Sequence, residues 1–485
     1  MRSLLGLCAA DVLLSLLGAG VLMAVGTWDR LPRMSRVGPS LLVGFAASAV
    51  ALPPLLYAGI APTPLVVGAI AAIALGAGSA LRRRREQRAL DASGGGLLAG
   101  LIFAVLIAPF VVRAALEPML KFDAYADWSL KARLIYGHGG LILGAFDPDT
   151  LGRLYQAGHR EYPLGLPTTE AFAFHMAGGT GSRIVHLQCV LVFVAFAATA
   201  WSMLRPRVDA AILGGVLCLL VVAPSLHTQI LSTYADVPLA CFWALAAVAL
   251  GLWFAGDGDD RLALATLLAA AALATKQEGL VLDASLFAIA LAYGVTRSRR
   301  NVPSLALAVG VIVVTALPWQ IRVHALGLHD ADIAPSGARM ARQAGSLPTI
   351  VHRLAGELVG ARWPAIVPLA VGVALWLAWA RRDRLALAFL GVLTAAMIGL
   401  AVIYWNARIP VAGLLVQSAE RVVTGPVFLA VVTLPLLLDR LARPPGGSTP
   451  AQRPDPRPRR AALRMHPGER EQPQRAAALG GERLE

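Results

Sequence analysis

Long apolar runs recur along the whole sequence and restrict the fold more than any other feature. Most have about 17–25 residues, the length that crosses the hydrocarbon core of a bilayer as a helix. Inside lipid, such a run satisfies its own backbone hydrogen bonds only as a helix. Of the 485 residues, 57% are hydrophobic and 15% are charged, which excludes an ordinary soluble protein. The sequence therefore predicts an all-α polytopic membrane protein.

About thirteen apolar segments are predicted to span the membrane. They cover residues 4–25, 39–60, 62–81, 96–115, 184–204, 210–225, 237–255, 262–275, 279–296, 303–319, 364–380, 385–403 and 422–438. Short loops join most of them, and the turn at Lys276-Gln277-Glu278 is the tightest.

Clusters of arginine indicate which loops face the cytoplasm, because cytoplasmic loops are enriched in Lys and Arg. The basic segments are Arg82-Arg83-Arg84-Arg85, Arg205-Pro206-Arg207, the turn at 256–261, Arg297-Ser298-Arg299-Arg300, Arg381-Arg382-Asp383-Arg384 and the tail from Arg440. They alternate with less basic loops, which places the amino terminus outside. The net charge of +14 comes from these clusters, so it favours membrane orientation and predicts no nucleic-acid partner.

Composition also bears on the location of the protein and on its tail. Lysine occurs only at Lys121, Lys131 and Lys276, and this preference for arginine is typical of a GC-rich bacterial genome. We expect a multi-pass protein of the bacterial inner membrane. Residues 441–485 are rich in Pro, Arg and Gly, so they predict a disordered cytoplasmic tail. The four cysteines lie in apolar runs and predict no disulfide framework.

One long polar segment, residues 117–183, follows the fourth predicted helix and lies on the predicted outer face. It contains seven carboxylates: Glu117, Asp123, Asp127, Asp147, Asp149, Glu161 and Glu170. Asp123 comes soon after the helix, so its carboxylate should lie at the outer membrane surface, where a lipid-linked phosphate would rest. Two purely structural interpretations stay open: Asp123 caps a helix, and Asp127 pairs with Lys131 four residues later.

A short helix is predicted over residues 128–136, because Trp128, Ala132 and Ile135 follow helical spacing on one face. We expect this helix to lie in the membrane interface, with its aromatic residues at the level of the lipid headgroups. Its position next to Asp123 and Asp127 makes it part of the candidate site.

Charged residues lie beside helix ends in the other outer loops as well. They are Glu161, Asp236, Lys276, Glu278, Glu420 and Arg421. Each alone is more often an anchor than a ligand, because charges at helix ends reach water easily. It is informative that all of them lie on the same predicted side of the membrane, because transfer of a sugar from a lipid phosphate needs acids and cations together. A carboxylate accepts the proton of the attacking hydroxyl, and cations hold the leaving phosphate.

At these residues the sequence resembles the integral-membrane glycosyltransferases of the C-type fold, which include protein mannosyltransferases and the aminoarabinose and arabinofuranosyl transferases. The matching motifs are Phe122-Asp123-Ala124, Asp127-Trp128, Lys131-Ala132, Glu161-Tyr162-Pro163-Leu164, Tyr234-Ala235-Asp236-Val237-Pro238-Leu239, Thr275-Lys276-Gln277-Glu278-Gly279 and Glu420-Arg421. The resemblance covers residues 96–440 and leaves the helices of 1–95 and the tail outside.

The resemblance implies a polyprenyl-phosphate sugar donor and an inverting transfer on the extracytoplasmic face to a glycan, lipid or protein acceptor. By position, Asp123 would be the general base, and Lys276 and Arg421 would contact the donor phosphate. The residues implied for the substrate or the loop scaffold are Asp127, Lys131, Glu161, Tyr162, Asp236, Glu278 and Glu420. A divalent metal stays an open question, because the Asp-X-Asp pair of metal-dependent members is missing at Asp123 and Asp147-Pro148-Asp149 lies mid-loop.

Three other functions compete with the transferase. A flippase or transporter of a lipid-linked sugar predicts ionisable residues deep in several helices, and only Asp11 and Asp283 are of this kind. A surface-polysaccharide polymerase or ligase predicts an outer loop organised around Arg and His. The loop at 320–363 has the candidates Arg322, His324, His329, Arg339, Arg342, His352 and Arg353. A purely structural membrane protein is the third.

Overall fold

The computed structural model describes residues 2–83, 96–119, 121–139, 159–328, 333 and 336–443. Five features of the sequence lie outside these residues: Arg84 with Arg85, Asp147, Asp149, His329 and the tail from residue 444. One compact unit spans Met1–Ala442, so helices on both sides of residue 95 share a core, and Arg443–Glu485 is assigned to a second unit.

The described chain is helical, and its regular elements are numbered here in chain order. The first ten are α1 (Arg2–Val25), α2 (Val37–Tyr57), α3 (Pro64–Arg82), α4 (Leu97–Leu116), α5 (Leu130–His138), α6 (Gly165–Ala177), α7 (Ser182–Leu204), α8 (Ala210–Val221), α9 (Pro224–Leu231) and α10 (Asp236–Phe254). The others are α11 (Asp260–Thr275), α12 (Glu278–Arg297), α13 (Val302–Ala325), α14 (Gly337–Arg342), α15 (Leu347–Val359), α16 (Ile366–Arg381), α17 (Arg384–Trp405), α18 (Val411–Val422) and α19 (Thr424–Ala442). A π-helix at Ala124–Ser129 precedes α5.

Every apolar segment predicted from the sequence is helical, which confirms the all-α class. Within the described ranges, ten helices are long and apolar enough to cross a membrane, or eleven if the bent pair α8–α9 counts as one span. The predicted count of about thirteen is not confirmed, because α11 and α16 have 16 residues each and fall short of a full span. A helix of that length rises only about 24 Å.

The core is centred on α10, which packs against α11 on one side and α19 on the other. Both α10 and α19 are buried along most of their length. Apolar side chains surround α10 on all faces, as expected for a helix enclosed by other helices. In contrast, α3 and α4 are largely exposed on the outside of the bundle, which is the arrangement of helices that face lipid.

The loops fall into two groups that match the predicted alternation. Arg30 in the first loop forms an ion pair with Asp260, and Arg207 forms one with Asp257. All four residues belong to loops that the arginine pattern assigned to the cytoplasmic side. The loops assigned to the outer side contact one another in the same way, as described next. These contacts agree with the predicted grouping for the loops that they join, whereas the full alternation and the side of the membrane that each group faces stay predictions.

Candidate functional site

The π-helix Ala124–Ser129 positions the first acidic residues of the site. Its wider turn is formed by hydrogen bonds such as that from the amide of Leu130 to the carbonyl of Tyr125. Single π-turns are rare in proteins and occur frequently at functional sites. The predicted short helix follows as α5, and Trp128, Ala132 and Ile135 are all buried as the spacing predicted.

Asp123 and Arg421 form an ion pair at the centre of the site. Arg421 Nη1 lies 2.5 Å from Asp123 Oδ2, although the two residues are 298 positions apart in the chain. The Arg421 guanidinium also stacks over the ring of Tyr234, 4.4 Å from its centroid. The Asp123 side chain makes no capping hydrogen bond, so the N-cap interpretation is wrong. It keeps 36% of its surface exposed, so a substrate can reach this carboxylate.

Lys276 and two acids form a second, deeper ion-pair group. Lys276 Nζ lies 2.8 Å from Asp236 Oδ1 and 2.7 Å from Glu278 Oε1. The lysine side chain is only 8% exposed. Burial alone would lower the pKa of Lys276, but the two carboxylates raise it above its usual value. The lysine is therefore held as a buried cation, neutralised by two protein acids.

The two ion-pair groups form one continuous charge network. Asp236 interacts electrostatically with Arg421 as well as with Lys276, so it lies between the two cations. The network combines the π-helix segment, the start of α10, the turn between α11 and α12, and the end of α18. Five residues that the sequence singled out for a site are thus brought together: Asp123, Asp236, Lys276, Glu278 and Arg421.

An aromatic group encloses Lys131 beside this network. Lys131 is fully buried, and its Nζ donates a hydrogen bond of 2.5 Å to the carbonyl of His159. The amine lies 5.5 Å from the ring centroid of Trp128 and 5.7 Å from that of Tyr162. The geometry is that of cation–π contacts, which become stronger when they are removed from water. The hydrogen bond of Lys131 is to the carbonyl of His159. Asp127 interacts with the Lys131 amine only at longer range and forms no ion pair with it in the described chain.

Burial changes the ionisation of both Asp127 and Lys131. It lowers the pKa of Lys131 to about 8, although Asp127 and Glu161 oppose the shift. It raises the pKa of Asp127, against the opposing effects of His159 and Lys131. One carboxylate oxygen of Asp127 is buried without a hydrogen-bond partner. Acids and bases with shifted pKa values are common at functional sites, so this pair belongs to the candidate site.

The segment around Glu161 joins the aromatic group to the charge network. The Glu161 carboxylate accepts a hydrogen bond from His159 Nδ1 at 3.1 Å. Its backbone carbonyl accepts two more, from Gln277 Nε2 at 3.2 Å and from Trp319 Nε1 at 2.8 Å. Gln277 lies between Lys276 and Glu278, so the turn that carries the buried cation also holds the Glu161 loop in place.

Glu420 is the predicted site residue that points elsewhere. It forms an ion pair with Arg362 and accepts a hydrogen bond of 2.5 Å from Ser225 Oγ. Successive residues of a helix point about 100° apart, so Glu420 and its neighbour Arg421 face different surroundings. Glu420 ties α18 to the start of α9 and does not join the charge network.

Backbone strain occurs next to the site. Among the described residues, four non-glycine residues have positive φ, and two of them are His159 (φ 47°) and Thr233 (φ 51°). His159 precedes Glu161 by two residues, and Thr233 stands immediately before Tyr234. A left-handed conformation of this kind costs energy for a residue with a side chain and is often found at functional sites.

Sequence reasoning did not assign Tyr234, His159, Gln277 or Trp319 to the site. Tyr234 and Gln277 stand inside the matching motifs but were given no role there, and His159 precedes the motif that begins at Glu161 by two residues. No local signal marks Trp319, because an indole in an apolar helix usually indicates packing or the membrane interface.

Two described members of the rival set of cations at 320–363 have partners away from the charge network. Arg339 donates a hydrogen bond to the carbonyl of Asn406, and Arg353 pairs with Glu357 on its own helix. Within the part of the chain that the structure describes, no group of three or more His, Cys, Asp or Glu residues is placed to hold a metal ion. Asp147 and Asp149 lie outside it, so the question of a metal stays open.

No protein-family model, curated protein or solved structure matches this chain. The resemblance to C-type glycosyltransferases therefore rests on the residues quoted above and stays a prediction.

Proposed function

We propose that this chain is an integral-membrane glycosyltransferase of the bacterial inner membrane. It moves a sugar from a polyprenyl-phosphate donor to an acceptor hydroxyl on the extracytoplasmic face. The observation that carries the proposal is the charge network, in which Asp123, Arg421, Asp236 and Lys276 meet at the end of the helix bundle that the outer loops form. Paired acids and fixed cations are the groups that such a transfer needs.

Asp123 is the proposed general base. The acceptor oxygen attacks the anomeric carbon and forms the new glycosidic bond while the bond from that carbon to the phosphate oxygen breaks. The acceptor proton passes to the Asp123 carboxylate, and polyprenyl phosphate leaves with the bonding electrons. Attack opposite to the leaving group inverts the anomeric centre.

Arg421 is the proposed contact for the donor phosphate, and its contact with Asp123 gives it a second role. In the absence of donor the guanidinium is bound to the carboxylate, which lowers the availability of the base. A phosphate that binds Arg421 competes with Asp123 for the same nitrogen atoms. Binding of the donor would then release the carboxylate for proton transfer, so that the base becomes free only when a donor is present.

The test uses the purified protein in lipid nanodiscs with a panel of polyprenyl-phosphate sugars. Asp123→Asn should abolish consumption of the donor, while the control Glu117→Gln should leave it unchanged. Glu117 is an exposed acid of the same outer segment, paired with Arg113 and remote from the proposed chemistry. Near-full turnover by Asp123→Asn would show that Asp123 is not the base. Binding of a donor without consumption by any variant would point to a carrier or to a missing acceptor.

A flippase of a lipid-linked sugar is the second candidate, and Asp283 favours it. This acid is buried in α12, and neither carboxylate oxygen has a hydrogen-bond partner among the residues that the structure describes. Ionisable residues inside membrane helices often serve transport. Asp283→Asn should then stop translocation of a labelled lipid-linked sugar across a vesicle membrane. Unchanged translocation, or none by the wild type, would remove this candidate.

A further inference from the structure

A long apolar groove lies on the outside of the bundle along α16. It is lined by Pro368, Leu369, Gly372 and Trp376 of α16 and by Leu441 near the end of α19. Residues 368, 372 and 376 are four apart, so they lie on one face of α16. Leu369 and Trp376 keep 48% and 52% of their surface exposed. The groove is therefore open to the surroundings of the bundle, which in a membrane are the acyl chains of lipids.

The groove is large enough for an acyl chain. Its volume is about 510 Å³. One water molecule occupies only roughly 30 Å³. Gly372 leaves the middle of the groove open, because a Cβ built there would meet no described atom within 4 Å. From Ala365 to Trp376 the groove follows the helix for roughly 17 Å.

Arginines lie at the end of the groove where α16 ends. Nη1 and Nη2 of Arg381 donate hydrogen bonds of 2.6 and 3.2 Å to the carbonyls of Arg440 and Leu441. Arg440 also forms an ion pair of 2.6 Å with Asp383. Since Leu441 lines the groove, these contacts place the basic turn at 381–384 at its end.

Arg382 and Arg384 give this end positive charge that no described acid neutralises. Both are exposed, and neither forms an ion pair with a residue that the structure describes. The acid between them, Asp383, already binds Arg440. This turn belongs to the end of the bundle that is predicted to be cytoplasmic. On that side of membrane proteins, basic pockets between helices bind anionic lipid headgroups.

Two tryptophans mark the level of the headgroups at the same end. The rings of Trp376 and Trp379 lie 5.5 Å apart, and Trp379 is 78% exposed. Tryptophan is enriched where the hydrocarbon meets the headgroups. The acyl part of a ligand would thus lie along the groove, and its charge would reach the arginines that follow Trp379.

We propose that this groove binds one anionic phospholipid of the bilayer. An acyl chain lies along α16, and the phosphodiester is held by Arg382 and Arg384. The proposal is independent of the transferase, because Arg421 precedes α19 whereas Arg440 lies in its last turn. The lipid headgroup and the charge network are therefore at opposite ends of one helix.

Native mass spectrometry of the delipidated full chain tests the proposal. The protein is titrated with phosphatidylglycerol and, separately, with phosphatidylcholine of the same acyl chains, and the wild type should bind the first phosphatidylglycerol more tightly. The double variant Arg382→Gln with Arg384→Gln should weaken that binding about tenfold, because it removes charge-assisted hydrogen bonds. The matched control Arg299→Gln with Arg300→Gln removes two exposed arginines at the same predicted end and should bind as the wild type does.

Gly372→Leu tests the groove while every charge stays in place. The added side chain should fill the groove and weaken phosphatidylglycerol binding several-fold. Gly310→Leu in α13 is its matched control and should change nothing. A Cβ at either position meets no described atom within 4 Å, so neither change overpacks the bundle, but only Gly372 lines the groove. This pair decides the question even if the arginine variant fails to fold, as judged by its melting temperature in phosphatidylcholine.

Three results would each overturn the proposal. One is a folded arginine double variant that binds phosphatidylglycerol as tightly as the wild type, which would exclude the headgroup site. Another is unchanged binding by Gly372→Leu, which would show that the acyl chain does not use the groove. The third is equal affinity of the wild type for phosphatidylglycerol and phosphatidylcholine, which would mean that the site does not recognise charge.

Discussion

Lys276 and Arg421 received the same role from the sequence, but their surroundings differ. Lys276 is enclosed by Asp236 and Glu278, whereas Arg421 has one acid within ion-pair distance and stacks on Tyr234. A phosphate can exchange with the partly exposed Asp123 at Arg421. At Lys276 it would have to displace two acids, Asp236, which is buried, and Glu278, which is largely enclosed. Arg421 is therefore the better candidate for a direct phosphate contact, and Lys276 the better candidate for positioning Asp236.

The main effect of Lys276→Ala should be a loss of stability. In the fraction of the protein that stays folded, the affinity for the donor should change less. Removing one partner of a buried ion pair leaves uncompensated charge and costs about 3–5 kcal/mol. Thermal unfolding in nanodiscs measures this loss. The double variant Lys276→Met with Asp236→Asn should recover part of the lost stability, because it removes one of the acids left unpaired. A single variant as stable as the wild type would contradict the network described here.

Lys131 should make stability depend on pH in the alkaline range. Its pKa is about 8 in the folded protein, against 10.5 for an ordinary lysine, so between these values the unfolded chain binds more protons. The free energy of unfolding should therefore rise as the pH increases from 8 to 10.5, by about 3 kcal/mol for this group. The measurement is the melting temperature of wild type and Lys131→Met across that range. A difference between them that does not change with pH would show that the amine is not perturbed.

At the scale of elements, glycines set how closely the first three helices approach. A Cβ on Gly44 of α2 would collide with the backbone of Leu14 in α1, and one on Gly78 of α3 with the backbone of Gly20. Small residues allow membrane helices to pack at short distance, where van der Waals contact is greatest. The contact between α1, α2 and α3 therefore depends on these positions.

Gly78→Val should lower the melting temperature, while Gly76→Val on the same helix should leave it nearly unchanged. Both substitutions replace glycine by valine in the same helix, so they change helix propensity equally. Only Gly78 faces another backbone, since a Cβ at Gly76 would have no described atom within 4 Å. Overpacking of this kind costs about 1–3 kcal/mol. Equal effects of the two substitutions would mean that α3 does not pack closely against α1.

At the scale of the whole molecule, the two groups of loops define two ends of the bundle. The end with Arg30, Arg207, Asp257 and Asp260 is predicted to be cytoplasmic, and the end with the charge network is predicted to be outside. At each end, ion pairs join loops that are distant in sequence, as Arg30 with Asp260 and Asp123 with Arg421 do.

Thiol labelling of intact cells tests which end faces outward. In a Cys8→Ser background, Lys121→Cys should react with a membrane-impermeant maleimide, and Asp209→Cys should react only after the cells are made permeable. Both positions are exposed, and Cys8 is the exposed native cysteine. The reverse pattern would place the charge network in the cytoplasm and exclude an extracytoplasmic transferase.

The sequence by itself determined that the chain is helical, and it predicted how the loops alternate. Both depend on local properties: the length of an apolar run decides whether it is helical in lipid, and charge beside it decides on which side a loop lies. It also selected Asp123, Asp236, Lys276, Glu278 and Arg421 as one group, because all five lie beside helix ends on the same predicted side.

Only the tertiary structure decided which of these residues touch. Asp123 binds Arg421 across 298 positions, Lys131 binds the carbonyl of His159 and not Asp127, and Glu420 points to Arg362. A cleft lined by Tyr57 and Trp319 is likewise formed by helices that are far apart in sequence. Such pairings depend on the rotation and packing of whole helices, which no local pattern of residues specifies.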